Sequence, residues 1–300
     1  MTYLTKEDWN KYFLPKLSDD KSFHQEFLKL TKIHNILLQI IYLIFKKPKP
    51  SQIKLIQQIL YTSVIYYNKY ILNNDISYTD LSKFDLEIIC SSCIFLAFKA
   101  INKPISLPFL YSKINSRLNE LNKTKKIKFD EEDICDKIKE KEFDILCSIQ
   151  FNANIDTPYN FLHVFKSYLQ KVQKDNNINI SIIINKLNDY IKNSMLFPLH
   201  LYYSSCEIAL GCMSLVKKVT KDNFINLDEL IKLTNFEIDI DNINQCAFYI
   251  NKLSQVIEAP RTKNENNDKI SNNNKVLNSN DNGQDNLNFD IISNIKTNYI

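Results

Sequence analysis

Cys90 and Cys93 form a Cys-x-x-Cys, the spacing used by zinc sites and dithiol redox centres. A structural zinc site needs a second pair of ligands, and none follows at a suitable spacing. The pair also lies inside LEIICSSCIFLAF (86–98), which is apolar almost throughout. The two thiols therefore read as core residues. There are seven cysteines, an odd number, and most lie in apolar stretches, which suggests reduced thiols in an intracellular protein. The four histidines, His24, His34, His163 and His200, are scattered, and none stands beside a nucleophile motif. Asp19–Asp20 is the one Asp-Asp pair, too little for an aspartate-rich metal site of the kind helical isoprenoid synthases use. GxGxxG, GxxxxGK[ST], HExxH and GxSxG are all missing. No catalytic residue, metal ligand or cofactor site is expected.

The elements behind these residues read as helices. Gly211 and Gly283 are the only glycines in 300 residues, too few for phosphate-cradling loops or strand-rich folds. Hydrophobic residues make up 44%, enough for a sizeable core, and the net charge of +4 does not suggest a nucleic-acid binder. The start, MTYLTKEDW, is polar and does not read as a signal peptide, and no apolar run is expected to span a membrane. Thr5 is expected to cap a short helix over 9–17, and a long apolar-periodic helix follows over 22–46. Ser51 is expected to cap the next helix. There Ile53, Ile56, Leu60, Val64, Tyr67 and Ile71 recur at spacings of three and four, and Asn73-Asn74-Asp75 stops it. The third helix, 83–100, carries only Glu87 as a charge between Leu86 and Phe98, so other helices must surround it. A fourth is expected over 108–121. A basic loop, 123–128, leads to a fifth over 130–150, capped by Asp130.

Thr157-Pro158 opens a second half of the same plan. Helices are expected over 158–172, 179–195, 200–218, 226–233 and 240–257, with the mostly apolar 200–218 as a second central helix. From Arg261 asparagine dominates and apolar residues thin out, as in disordered chains. The expected fold class is all-α: two tandem five-helix bundles with a disordered Asn-rich C-terminal tail. The expected divisions are an N-terminal extension (1–20), a first bundle (21–154), a second bundle (155–259) and the tail (260–300).

Several segments resemble the cyclin family. VIYYNKYILNN (64–74) resembles its second-helix pattern of aromatic, basic, aromatic and polar turn. CIFLAFKA (93–100) resembles the third-helix pattern, in which a Leu-Ala pair precedes a lysine by two residues. EKEFDILCSIQFNANIDTPYNFL (140–162) resembles the fifth-helix pattern of a glutamate followed by leucine four positions on and phenylalanine nine positions on, and it is the most specific match. TYLTKEDW (2–9) resembles the lead-in of the transcriptional cyclins of the K, T, H and C types. The resemblance covers about residues 5–257. It implies two cyclin boxes, no catalysis, and a nuclear regulatory subunit that pairs with a cyclin-dependent protein kinase and activates it in transcription or cell-cycle control. The residues it assigns to kinase binding are Lys99, Ala100, Glu142, Leu146 and Phe151. It implies no cofactor and no membrane partner.

The chain also departs from the family pattern. Ala100-Ile101-Asn102 stand where many cyclins have acidic residues after the lysine. LTKIHNILLQIIYL (30–43) lacks the aspartate and tryptophan of cell-cycle cyclins, which puts a substrate-recruiting surface in doubt. The alternatives are a cyclin-fold scaffold without kinase activation and a cyclin-fold DNA-binding transcription factor. No zinc ribbon or strongly basic face supports the second.

Overall fold

The computed structural model describes residues 20–76, 81–121, 130–173, 179–220 and 224–258. The expected N-terminal helix over 9–17, the basic loop and the tail lie outside the described residues. Those that are described form ten α-helices. They are α1 (Asp20–Phe45), α2 (Ile53–Asn73), α3 (Lys83–Ala100), α4 (Leu107–Leu121), α5 (Glu131–Ser148), α6 (Leu162–Gln173), α7 (Ile180–Ser194), α8 (Ser205–Thr220), α9 (Leu227–Thr234) and α10 (Ile240–Glu258). The first five make one bundle and the last five a second.

The centre of the first bundle is α3. Every residue from Leu86 to Phe98 is buried, and α3 packs against α1, α2, α4 and α5. Polar atoms in this core are tied down. Ser92 Oγ donates to the Ile88 carbonyl at 2.8 Å and lies 3.1 Å from that of Ile138 on α5. Arg117 on α4 forks onto both carboxylate oxygens of Glu87 and reaches Gln39 on α1. A buried carboxylate without such a partner would be strongly disfavoured.

The centre of the second bundle is α8, buried from Ser205 to Val216. Gly211 lies against α10. A Cβ there would come within 2.8 Å of the Cys246 side chain and 3.1 Å of the Ala247 backbone nitrogen. Glycine is used at this position for close approach of two helices.

The bundles meet along α2. Tyr66 OH donates to the Ala153 carbonyl at 2.5 Å, Tyr61 OH lies 3.3 Å from Ser194 Oγ, and Asn68 Nδ2 lies 3.3 Å from His200 Nε2. Phe23 of α1 stacks on Phe197 at 5.7 Å.

Four local expectations need correction. Gln25–Phe45 is long and apolar enough to cross a membrane, contrary to the reading of the sequence. Its apolar character has a different use, since Leu37, Ile40 and Ile41 are fully buried and the helix packs on α2, α3 and α4. Ser51 is not a cap. It sits in a 3₁₀ turn, Pro50–Gln52, closed by the Lys49 amide donating to Gln52 Oε1 at 2.9 Å, because Pro50 fixes that turn first. Thr157 caps nothing with its side chain, and Pro158–Phe161 is likewise a 3₁₀ turn before α6. The expected helix over 200–218 starts only at Ser205, after a 3₁₀ turn at Leu199–Leu201.

Candidate functional site

Lys99 and Glu142 meet across the α3–α5 contact. Lys99 stands in the last turn of α3, where the helix dipole favours a cation. Its Nζ donates to both carboxylate oxygens of Glu142, at 2.8 and 2.9 Å. The same Nζ sits 4.1 Å from the centre of the Phe95 ring, one turn back on α3. The Glu142 side chain is 9% exposed and that of Lys99 45%. Glu142 is therefore no part of a solvated helical face. It is a nearly buried anion whose counter-charge faces solvent.

On α5 the residues Cys135, Lys139, Glu142 and Leu146 fall at spacings of four, three and four, and so lie along one stripe. Beyond Leu146 the helix ends abruptly. Gln150 and Phe151 both take positive φ, 54° and 57°. The Phe151 amide donates to the Leu146 carbonyl at 2.8 Å and the Gln150 amide to that of Cys147 at 3.0 Å. This is a Schellman stop with glutamine in the position that glycine usually takes. It turns Phe151 outward, where it is 63% exposed instead of packing as a core aromatic at the bundle boundary. Phe151 meets Phe143 edge to face, with ring centroids 6.2 Å apart, and Phe143 is 58% exposed. Leu146 is half-buried beside them. Two exposed aromatics in contact, next to a half-buried leucine, make an apolar ledge of the kind that marks interaction surfaces.

The five residues singled out in the sequence are thus placed as follows. Lys99 and Glu142 are brought into direct contact. Leu146 and Phe151 are linked through the helix stop. Ala100 is the last residue of α3, half-buried and one residue from Lys99. Ile101 and Asn102 form a second Schellman stop, with Asn102 at φ 57° and the Lys103 amide donating to the Phe98 carbonyl at 2.9 Å. Where many cyclins carry acidic residues, this chain ends its helix. Phe143 was missed by the sequence reading. It lies one residue from the buried side of α5, and its only sequence signal is a large aromatic off the apolar stripe.

The other candidates for chemistry sit elsewhere. Cys90 and Cys93 are fully buried in α3, and burial pushes both thiols up. His200 is buried and His34 is half-buried with both ring nitrogens shut off from solvent, and burial lowers them to about 3 and about 4. His163 Nδ1 lies 2.6 Å from the Asn160 carbonyl near the surface. Among the described residues no three His, Cys, Asp or Glu side chains converge as metal ligands.

No protein-family model matches the chain. No curated protein matches it either. Solved structures do. A chain of the yeast TFIIK (Kin28/Ccl1/Tfb3) complex is 18% identical with a TM-score of 0.53, over 83% of this chain and 96% of that one. A chain of the yeast RNA Pol II CTD kinase CTDK-1 complex is 17% identical with a TM-score of 0.57, over 86% of this chain and 74% of that one. These likenesses show the fold, two tandem five-helix cyclin-box bundles.

Proposed function

We propose that this chain is the cyclin subunit of a heterodimer with a cyclin-dependent protein kinase, which it binds and activates without catalysing a reaction itself. The observation that carries the reading is the Lys99–Glu142 pair, held at 2.8 and 2.9 Å and flanked by the exposed Phe143–Phe151 ledge. An active kinase needs its C-helix held inward, so that its own Lys–Glu pair and metal-binding loop align. A rigid apolar ledge can bury itself against such a helix. The buried Glu142 holds the Lys99 ammonium at a fixed place, where its remaining donor capacity can set the register of the partner. Binding the inward state better than the outward one shifts the population towards activity.

In this reading Lys99, Ala100, Glu142, Phe143, Leu146 and Phe151 contact the kinase. Residues 21–154 form the box that binds it, and residues 155–259 form the second. Both structural neighbours come from kinase complexes, one of them an RNA Pol II CTD kinase, which supports a nuclear role in transcription. A role in the cell cycle is the other process open to such a subunit.

The test is activation of purified cyclin-dependent kinases by the purified chain. Lys99→Ala combined with Glu142→Ala should reduce activation while far-UV circular dichroism stays unchanged. Activation equal to wild type would sink the proposed interface. A scaffold without kinase activation is the second reading, because the acidic residues after Lys99 are replaced by a helix stop. Repeated absence of a kinase from native co-purification would favour it.

A further inference from the structure

The stripe on α5 does not end at the ion pair. In the direction away from the ledge it runs through Lys139 to Cys135 and enters an open groove of about 590 Å³ between the start of α5 and the connection from α3 to α4. Phe95, Ile105, Leu107, Pro108 and Cys135 make its apolar walls. Phe95 belongs to both places, since the Lys99 ammonium lies over its ring. The mouth of the groove is acidic, with Asp130, Glu131 and Glu132 against one cation, Lys139. That cation is already paired with Asp136 at 2.8 Å. Asp130 serves as the helix cap, accepting from the Glu131 amide at 2.6 Å. Among the described residues Glu131 and Glu132 make no ion pair. From Cys135 to Leu146 is eleven residues, about 16 Å along a helix, so one partner surface can span both ends of the stripe.

We infer that the groove is a second docking point for the same kinase, and that it takes an apolar side chain flanked by basic residues. The inference rests on the kinase-binding reading above. Its own support is the charge of the mouth, with three carboxylates against one cation among the described residues beside an apolar floor, and the continuity of the groove with the ledge through Phe95 and the α5 stripe. The ledge would supply apolar area and the groove electrostatic selection. A charged rim acts chiefly through association rate and choice of partner, and its effect is screened by salt. An apolar ledge lacks that salt dependence.

The test uses the full chain and the purified cyclin-dependent kinase that it activates, with affinity measured across a salt series. Glu131→Lys with Glu132→Lys should weaken binding about tenfold at low salt and flatten the salt dependence. Ile105→Ser, in the connection outside any helix, should weaken binding several-fold with the salt slope kept. Phe143→Ala with Phe151→Ala should weaken binding without changing the slope. If reversal of the two charges disturbs α5 in circular dichroism, Glu131→Gln with Glu132→Gln decides the matter by the same slope. Unchanged affinity and slope in the rim variants would overturn the groove but leave the kinase-binding reading standing. A wild-type chain that binds no kinase would overturn both. A concentration-dependent dimer abolished by the rim variants would assign the groove to a second copy of the chain, and would overturn the inference as well.

Discussion

The two bundles share a plan but handle a buried carboxylate in opposite ways. In the first, Glu87 of α3 is neutralised by Arg117, and Glu142 by Lys99. In the second, Glu207 of α8 is satisfied by neutral donors, the Ser204 amide and Asn242 Nδ2, each at 2.7 Å. The sequence has two arginines, Arg117 and Arg261, against a large number of lysines, and the buried position has the arginine. Its planar fork matches a carboxylate and stays charged when buried. The second bundle relies instead on close approach at Gly211. One half of the molecule therefore adds ion pairs to the packing of its helices and brings one such charge to the surface, while the other adds neutral hydrogen bonds and a close approach at Gly211.

The largest effect should come from acid, which tests what the halves share. His34 in the first bundle and His200 beside the second are both lowered by burial, to about 4 and about 3, below their ordinary value of 6.5. Around His200 stand Asn68 and Tyr61, and the charge of Lys69 opposes its protonation further. A group whose folded pKa is depressed binds fewer protons folded than unfolded. Stability is then full above 6.5 and falls as pH drops from there towards 4 and 3. Each histidine should contribute a slope of about 1.4 kcal/mol per pH unit within that window. Urea midpoints across pH 7 to 4 measure it, and His200→Asn should remove about half of the slope. A flat profile would contradict the buried neutral histidines.

Next is the contrast itself. Arg117→Leu leaves Glu87 buried and unpaired, at a cost of about 3–5 kcal/mol in chemical denaturation. Glu207→Gln keeps one acceptor oxygen for the Ser204 amide, and Asn242 can turn its own carboxamide oxygen towards the new NH2, so it should cost only about 1 kcal/mol. Equal costs would erase the distinction between the bundles. Gly211→Leu should cost about 1–3 kcal/mol by overpacking α8 against α10, with kinase activation retained after the protein is stabilised by cold.

The smallest effect sharpens the comparison at the site. Lys99→Ala strands a carboxylate that is 9% exposed, whereas Glu142→Ala leaves a lysine that can reach water. The lysine variant should therefore be the less stable of the two by about 1 kcal/mol, and the double variant should recover part of that loss. Thermal melts of the three proteins decide this.

Much of the fold was legible because burial writes long patterns. LEIICSSCIFLAF announces a surrounded helix, and the three-and-four spacing from Ile53 to Ile71 announces an amphipathic one. Lys99 with Glu142 was legible through a family pattern, not through local chemistry. The remainder depended on partners distant in sequence or on single dihedrals. Nothing near Glu87 foretells Arg117, thirty residues on. Phe151 looks like a core aromatic until the helix stop at Gln150 turns it to solvent. Ser51 has the type and place of a cap, but Pro50 before it begins a 3₁₀ turn.

Four helices of the first bundle, α1, α2, α3 and α5, stop at Lys46, Asp75, Asn102 and Gln150, with φ of 55°, 50°, 57° and 54° and no glycine at any of them. Each stop strains the folded chain by about 1 kcal/mol relative to glycine. A chain with one glycine in its first 260 residues is also stiffer when unfolded, so it has fewer conformations to lose on folding. Part of what holds this protein together therefore lies outside its contacts, in the narrowness of its denatured ensemble. Gln150→Gly would relax the folded state and widen the unfolded one by comparable amounts, leaving stability nearly unchanged while loosening the backbone that aims Phe151.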